Sequence, residues 1–396
     1  MKNMLYLYGA KVVTLQGVTS DGSLLVKDGR IEAVNQPCPE GAQRLHVGGG
    51  YILPGFVDIH VHGGGDCDCM DATVESFREI ARVHCQHGTT AMVPTTMTCE
   101  DSLLETVIRC YLEAYETPGD GAEMLGLHLE GPFFSAASAT SRGAQPITRQ
   151  RIPTREVLEH FIALAQGHIL RWDAAAELPE MDLFAQVMQE NDILCSLAHS
   201  GANATKAAQA FDWGFSHVTH FYNACTTFHK ENGIVHSGIV EATYLDDRIT
   251  IELIGDGRHI PRESMLLAYR IKGPDRVCLI TDAMRAAGTN AARSVLGPRD
   301  GGVPVVIRDD VAQLEDFSSY AGSIGTMDRA LRVAHVQYGL PLADVSRMLS
   351  LTPARLSGAA HRKGSLEAGK DADIVIMTDD FQVDKVYTMG RMVYQA

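Results

Sequence analysis

From Pro54 to about residue 290 the chain alternates short apolar runs with longer stretches of helical spacing. The runs cover 57–62, 91–95, 124–130, 169–177, 193–199, 217–221, 249–255 and 277–282. Between them, 73–87, 101–115, 155–165 and 203–211 repeat apolar residues at intervals of three and four, the period of an amphipathic helix. Eight strands joined mainly by helices predict an α/β chain folded as a parallel (β/α)8 TIM barrel, with its active site at the carboxyl ends of the strands. The stretch between the sixth and seventh runs is less cleanly helical.

The ends of the chain read differently. Residues 1–53 are short strands and turns, with one run at 11–15 and a hairpin over 23–34 that turns at Asp28-Gly29. After Asp282 come a glycine-rich loop, a β-excursion near 303–314, and helices over 326–337 and 342–351, with a further short one starting at Thr352. The tail returns to strands at 373–377 and 383–394, the second broken by a turn at Met389-Gly390-Arg391. The expectation is a small β-sandwich domain built from 1–53 and 363–396, flanking a catalytic barrel over 54–362.

The polar residues interrupting these runs carry the chemistry. Val57, Ile59 and Val61 alternate with Asp58, His60 and His62, so a strand puts both imidazoles on one side. Gly63, Gly64 and Gly65 then permit a sharp turn and leave room beside the pair. A lone His-x-His strand would decide little. Here, however, Glu130 ends the third run, His199 the fifth, His220 the sixth and Asp282 the eighth. The fold thus gathers six donors at one mouth, and their mixture of imidazole and carboxylate suits zinc, iron or a related divalent metal. Such an ion makes hydroxide accessible at neutral pH and polarises a carbonyl, which is the chemistry of amide or ester hydrolysis. Asp282 is placed to take a proton from water and pass it to a leaving nitrogen.

Composition narrows the partners. Of 396 residues, 45% are hydrophobic and 21% charged, enough for a barrel-sized core with an accessory domain. The net charge of −15 argues against nucleic acid or an anionic membrane, while leaving room for a local anion site. The start of the chain does not read as a signal peptide, and no apolar run reaches membrane-spanning length. Nine cysteines without zinc-ribbon spacing fit reduced thiols in the cytoplasm, and Cys67 and Cys69 read as loop residues. His84, His87, His160, His168 and His335 read as surface or packing residues. For His128, which shares a strand face with Glu130, a place behind the site or against the substrate competes evenly with simple core packing.

The chain resembles the amidohydrolase superfamily, and within it the N-acetylglucosamine-6-phosphate deacetylases. The resemblance spans essentially the whole sequence. It rests on Pro54-Gly55-Phe56-Val57-Asp58, His128-Leu129-Glu130-Gly131-Pro132-Phe133, Ala198-His199-Ser200, Thr219-His220-Phe221-Tyr222-Asn223-Ala224, Asp256-Gly257-Arg258-His259, Thr281-Asp282-Ala283 and Ala321-Gly322-Ser323. It implies that Glu130, His199 and His220 hold one metal ion, and that His60 and His62 contribute to a second where that pair is kept. One or two ions are therefore expected, zinc first, with iron, manganese or cobalt as alternatives. It further implies Asp282 as general acid/base, and Asn223, the backbone at Ala224 and His259 facing a sugar phosphate. A basic residue from the other subunit of a homodimer would complete the anion site.

The chain also departs from the family pattern. Lys230 stands where an arginine is expected, keeping the charge without the bidentate fork. Gln145 stands where some relatives place a carbonyl-polarising histidine. The expected activity is removal of acetate from N-acetylglucosamine 6-phosphate. The alternatives are the galactosamine epimer, or another N-acyl or cyclic amide. A silent barrel scaffold is the rival outside enzymes, and retention of all six donors speaks against it.

Overall fold

The computed structural model describes residues 4–135, 139–146 and 150–396. Eight parallel strands form its centre: Phe56–Val61 (β1), Thr89–Pro94 (β2), Leu127–Glu130 (β3), Ile169–Ala174 (β4), Leu194–Leu197 (β5), His217–Val218 (β6), Thr250–Ile254 (β7) and Val277–Ile280 (β8). Strands β3 to β8 pair in chain order, and β1 pairs with β2. A bridge between Thr95 and His128 joins the end of β2 to β3, and one between Val61 and Ala283 joins β1 to the chain beyond β8. The Asp282 N–H donates to the His60 carbonyl at 3.0 Å and the His62 N–H to that of Ala283 at 2.9 Å. The result is a curled parallel sheet.

The strands are shorter than the apolar runs, and the reason is local. His199, His220 and Asp282 have φ of 45°, 29° and 48°, a left-handed conformation that takes the backbone out of the ladder. β5 and β8 therefore stop two residues before His199 and Asp282, and β6 before His220. The fourth run ends at Ala174 rather than 177. Glu177 lies past the strand, accepting from the Ser200 hydroxyl and the Gly201 N–H, both at 2.6 Å.

Helices fill most connections, at Val74–Gln86, Asp101–Glu116, Arg155–Leu164, Met181–Glu190, Ala204–Trp213 and Arg262–Lys272. Thr73, Thr154 and Asn203 start three of them by accepting from the N–H three residues on. The irregular interval after β6 is explained by an antiparallel pair, His229–Glu231 with Ile234–His236, ahead of a short helix at Ile239–Leu245. Its turn is Asn232-Gly233, both at positive φ, the backbone that a two-residue hairpin loop demands.

Both ends of the chain pair into one eight-stranded sheet. Met4–Thr14 pairs with Gly17–Lys27, Gln43–His46 and Tyr51–Pro54, and Tyr51–Pro54 pairs in turn with Ile374–Met377. The hairpin turns at Asp28-Gly29 as the sequence indicates. Leu7, Val12, Leu24, Val26, Ile31, Ile374 and Ile376 form a core cluster for this sheet. Each is fully or almost fully buried, which stabilises the fold by roughly 1.5–3 kcal/mol per side chain.

The glycine run after β1 works mainly by close packing. A Cβ on Gly63 would sit 2.7 Å from the Arg285 nitrogen, and one on Gly64 would sit 2.9 Å from His84 Nε2. Of the three glycines, Gly65 alone uses a left-handed φ.

Candidate metal centre and active site

His60 and Glu130 lie near the ends of β1 and β3, His62 just past β1, and His199, His220 and Asp282 two residues past their strands, so the six side chains meet over the carboxyl ends of the curled sheet. They form two groups. In the first, His60 Nε2 and His62 Nε2 are 3.2 Å apart and lie 3.5 and 3.3 Å from Asp282 Oδ1. In the second, Glu130 Oε1 lies 3.0 Å from His199 Nε2 and 3.1 Å from His220 Nε2, themselves 3.1 Å apart. The other oxygen of Glu130 reaches His62 Nε2 at 3.3 Å, so this carboxylate stands between the groups. All six residues are buried.

The protons on these rings can be placed from their partners. His199 Nδ1 lies 3.0 Å from the Arg142 carbonyl and 3.1 Å from that of Ser141, and a carbonyl only accepts. The hydrogen is therefore on Nδ1, and the lone pair of Nε2 faces the centre. His60 Nδ1 lies 3.1 Å from Glu252 Oε2, which fixes that ring in the same sense. Lone pairs and carboxylate oxygens converging at about 3 Å are a donor set in want of a cation, and each group fits one divalent ion.

Electrostatics agree. Burial opposes charge on His62, but its hydrogen bond to Asp282 and the Glu130 and Asp282 charges outweigh it and raise the pKa to about 9. His220 behaves alike, with burial overcome by Glu130, and also rises to about 9. Burial raises Glu130 and Asp282, yet the surrounding imidazoles win: Glu130 falls well below the ordinary glutamate value and Asp282 below the ordinary aspartate value.

A cavity of ≈ 150 Å³ opens onto both groups. Gln145, Asn223, Ala224 and His259 line it, as do Met97, Leu296 and Tyr320. His259 is held at Nδ1 by Asp256 Oδ2 at 2.7 Å, and the Tyr320 ring lies 4.8 Å from its own. Gln145 is engaged with the centre itself: its amide donates to Glu130 Oε2 at 2.9 Å and its oxygen accepts from the Thr98 N–H at 3.1 Å. Lys230 does not line the cavity of its own chain. It is exposed on the hairpin after β6.

Sequence reasoning missed the buried polar layer behind the centre. Arg171 Nε donates to Asp173 Oδ1 at 3.1 Å, and Arg171 Nη1 donates to Glu252. The Thr219 hydroxyl donates to Asp173 Oδ2 at 2.8 Å. His128 belongs here, with Nε2 2.8 Å from Asp173 Oδ2 and Nδ1 3.1 Å from Thr95 Oγ1. Burial lowers its pKa to about 3, so the ring is neutral. The signal was present: Arg171 and Asp173 in Ile-Leu-Arg-Trp-Asp-Ala, and Glu252 in Ile-Thr-Ile-Glu-Leu-Ile, interrupt apolar strands just as His60 does. Of the histidines read as surface or packing residues, His84 is fully buried, its Nε2 2.9 Å from the Gly63 carbonyl.

The family model for the amidohydrolase family matches residues 51–393. The chain belongs to the amidohydrolase family. This amidohydrolase is 34% identical over 385 residues to the N-acetylglucosamine-6-phosphate deacetylase of Lysinibacillus sphaericus, covering 97% of this chain and 96% of the relative. It is 31% identical over 388 residues to the N-acetylgalactosamine-6-phosphate deacetylase of Escherichia coli O157:H7, covering 98% of each. Among solved structures it superposes on a mutant N-acetyl-D-glucosamine-6-phosphate deacetylase of Mycobacterium smegmatis in complex with N-acetyl-D-glucosamine-6-phosphate. The TM-score is 0.90 at 27% identity, covering 99% of this chain and 100% of that one.

Proposed function

We propose that this amidohydrolase removes the acetyl group of N-acetylglucosamine 6-phosphate, giving glucosamine 6-phosphate and acetate. The observation that carries the reading is the pair of donor groups sharing Glu130 at the floor of a cavity that Asn223 and His259 also line. Full-length similarity to deacetylases of acetylated amino-sugar phosphates supports it.

Glu130, His199 and His220 would hold one divalent ion, and His60, His62 and Asp282 a second. Zinc suits these donors first, with iron, manganese or cobalt as alternatives. The ion supplies Lewis acidity, acidifying water and polarising the amide carbonyl. Asp282, ionised because its imidazole neighbours keep it so, accepts a proton from the attacking water and delivers it to the departing nitrogen. Water oxygen joins the carbonyl carbon, the C–N bond breaks, and the amine leaves neutral. Gln145 holds Glu130 and lies at the cavity wall where the acetyl oxygen would approach.

Asn223, the Ala224 backbone and His259 would face the sugar phosphate. Lys230, exposed on its hairpin, would reach the anion site of a second copy in a homodimer. The curled sheet is taken as a closed (β/α)8 barrel over 54–362. The terminal strands, 1–53 and 363–396, are taken as a β-sandwich beside it. The cytoplasm is the proposed compartment, in keeping with nine free cysteines.

The E. coli relative favours one second reading, the galactosamine epimer. Parallel assays of both acetylated sugar 6-phosphates and of unphosphorylated N-acetylglucosamine, after reconstitution with each metal, test the assignment. The glucosamine compound should give the highest kcat/KM. Equal turnover of the free sugar would sink the phosphate-site reading, and preference for the galactosamine compound would replace the substrate.

A further inference from the structure

The buried layer behind the centre contains one carboxylate that touches both donor groups. Glu252 Oε2 lies 3.1 Å from His60 Nδ1, in the first group, and accepts the backbone N–H of His220, in the second, also at 3.1 Å. Its other oxygen accepts from Arg171 Nη1 and lies 3.5 Å from His217 Nε2. Arg171 Nε donates to Asp173, while its Nη2 donates to Thr219 and to Glu252 Oε2, each at 3.3 Å, and lies 3.4 Å from His60 Nδ1, farther than Glu252 does. Glu252 is fully buried, and the nearest edge of the cavity is lined by the ligands rather than by Glu252 itself.

Stability does not account for this arrangement. A buried ion pair contributes little net stability, because desolvation offsets the attraction. Position does account for it. A histidine that donates Nδ1–H to a carboxylate presents a fixed Nε2 lone pair and a more basic ring. The plane of His60 is fixed as well, since the His128 ring meets it edge-on at 4.7 Å and 88°.

We propose that Glu252 is a positioning residue that sets the tautomer and direction of His60 toward the ion of the His60–His62–Asp282 group, and couples that group to the other through the His220 peptide. The inference rests on the reading that both groups hold divalent ions. The two contacts differ in kind, because His60 is held by its ring and His220 only by its backbone. Losing the Glu252 carboxylate should therefore weaken the first ion selectively. Outer-shell partners of this kind typically change metal affinity by about 10–100-fold.

The test uses the full chain reconstituted with Zn²⁺ and then titrated with a competing chelator, alongside the absorption spectrum of the Co²⁺ form. E252Q should keep one ion at wild-type affinity, hold the other about 10–100-fold more weakly, and change the Co²⁺ spectrum of one site only. Glu252→Asp should recover part of the loss. E252Q leaves Arg171 short of a counter-charge, so the double variant R171M/E252Q carries the test if the single one does not fold. Two ions at unchanged affinity in a folded variant would overturn the proposal. So would equal weakening of both ions, which marks general loosening rather than positioning. A wild-type chain that takes up no ion fails at an earlier step, overturning the metal reading together with this one.

Discussion

His199 and His220 point their Nε2 atoms at each other across 3.1 Å, although the carbonyls of Ser141 and Arg142 claim the only proton His199 carries as a neutral ring. The contact is relieved if His220 carries a hydrogen on Nε2, in its neutral or its charged form, or if a cation stands between the two rings and Glu130. Both answers follow from the same geometry, and they alternate with metal. His199→Ala should therefore abolish one ion per chain and lower kcat/KM by at least about 100-fold, since it removes a ligand rather than an outer contact. Metal content and turnover measured on the same preparation check this. Full occupancy with full activity would place the ion elsewhere.

The proton inventory gives the pH dependence. In the metal-free chain His62 and His220 titrate at about 9, above the usual histidine value of 6.5. A raised histidine pKa contributes stability that is complete below about 6.5 and disappears as pH climbs through about 9. Metal binds only the neutral rings, so affinity should increase with pH up to about 9 and level off above it. Near neutral pH, uptake should release protons. Titration calorimetry in buffers of different ionisation enthalpy measures that release, and heats independent of the buffer would contradict the assignment.

Asp282 is distinguished from the other donors by what its loss should leave behind. Asp282→Asn keeps the shape and leaves Glu130, His199 and His220 intact, so an ion should remain bound there. Without a carboxylate to move the proton, kcat should fall by about 10²–10⁴. Activity within tenfold of wild type, with metal bound, would give the proton transfer to another group.

Much of this was legible in the chain because burial on both faces makes parallel strands near-continuous apolar runs, and a polar residue in one stands out. His60, His62, Glu130, His199, His220 and Asp282 were all visible that way. The same rule covered Arg171, Asp173 and Glu252, but they fall short of the ends of the runs 169–177 and 249–255 and so did not fit a search for donors closing each run. The exact strand ends were not legible, because positive φ at His199, His220 and Asp282 is a tertiary outcome that no residue type there announces. The Asn232-Gly233 hairpin did carry its signal, a strong turn dipeptide between two three-residue strands too short for helical periodicity to register. Lys230 illustrates the remaining limit: its exposure on that hairpin is set by topology, and pairing with another copy is not written in one chain.

Lys230 separates phosphate recognition from catalysis. It lies outside the cavity of its own chain, while Asn223 and His259 lie inside. Lys230→Ala should raise KM for the sugar 6-phosphate about tenfold or more, with kcat nearly unchanged and the unphosphorylated sugar unaffected. Mixing that variant with an inactive Asp282→Asn chain should restore low KM to part of the sites if the lysine acts across two copies. An unchanged KM would remove Lys230 from the anion site.

His84 gives the acid limit of the fold, away from the metal donors. It is fully buried, with Nε2 2.9 Å from the Gly63 carbonyl and close beneath Gly64. Burial lowers its pKa from 6.5 to about 4, the hydrogen bond to Gly63 opposing this only in part. A depressed folded pKa means that the unfolded chain takes up the proton first. The stability due to the neutral ring is present above about 6.5 and is lost as pH falls toward about 4. At about 1.4 kcal/mol per unit, the loss is on the order of 3 kcal/mol. Urea unfolding of the metal-free chain between pH 7 and about 4 should show this decline, its part above about pH 5 preceding the titration of ordinary carboxylates. His84→Gln retains a donor for the Gly63 carbonyl and cannot charge. It should start from lower stability, because the ring packing is lost, and should show a shallower slope over the same range. An unaltered slope in that variant would assign the proton uptake to the other buried rings, His128 and His217, whose pKa values burial also lowers.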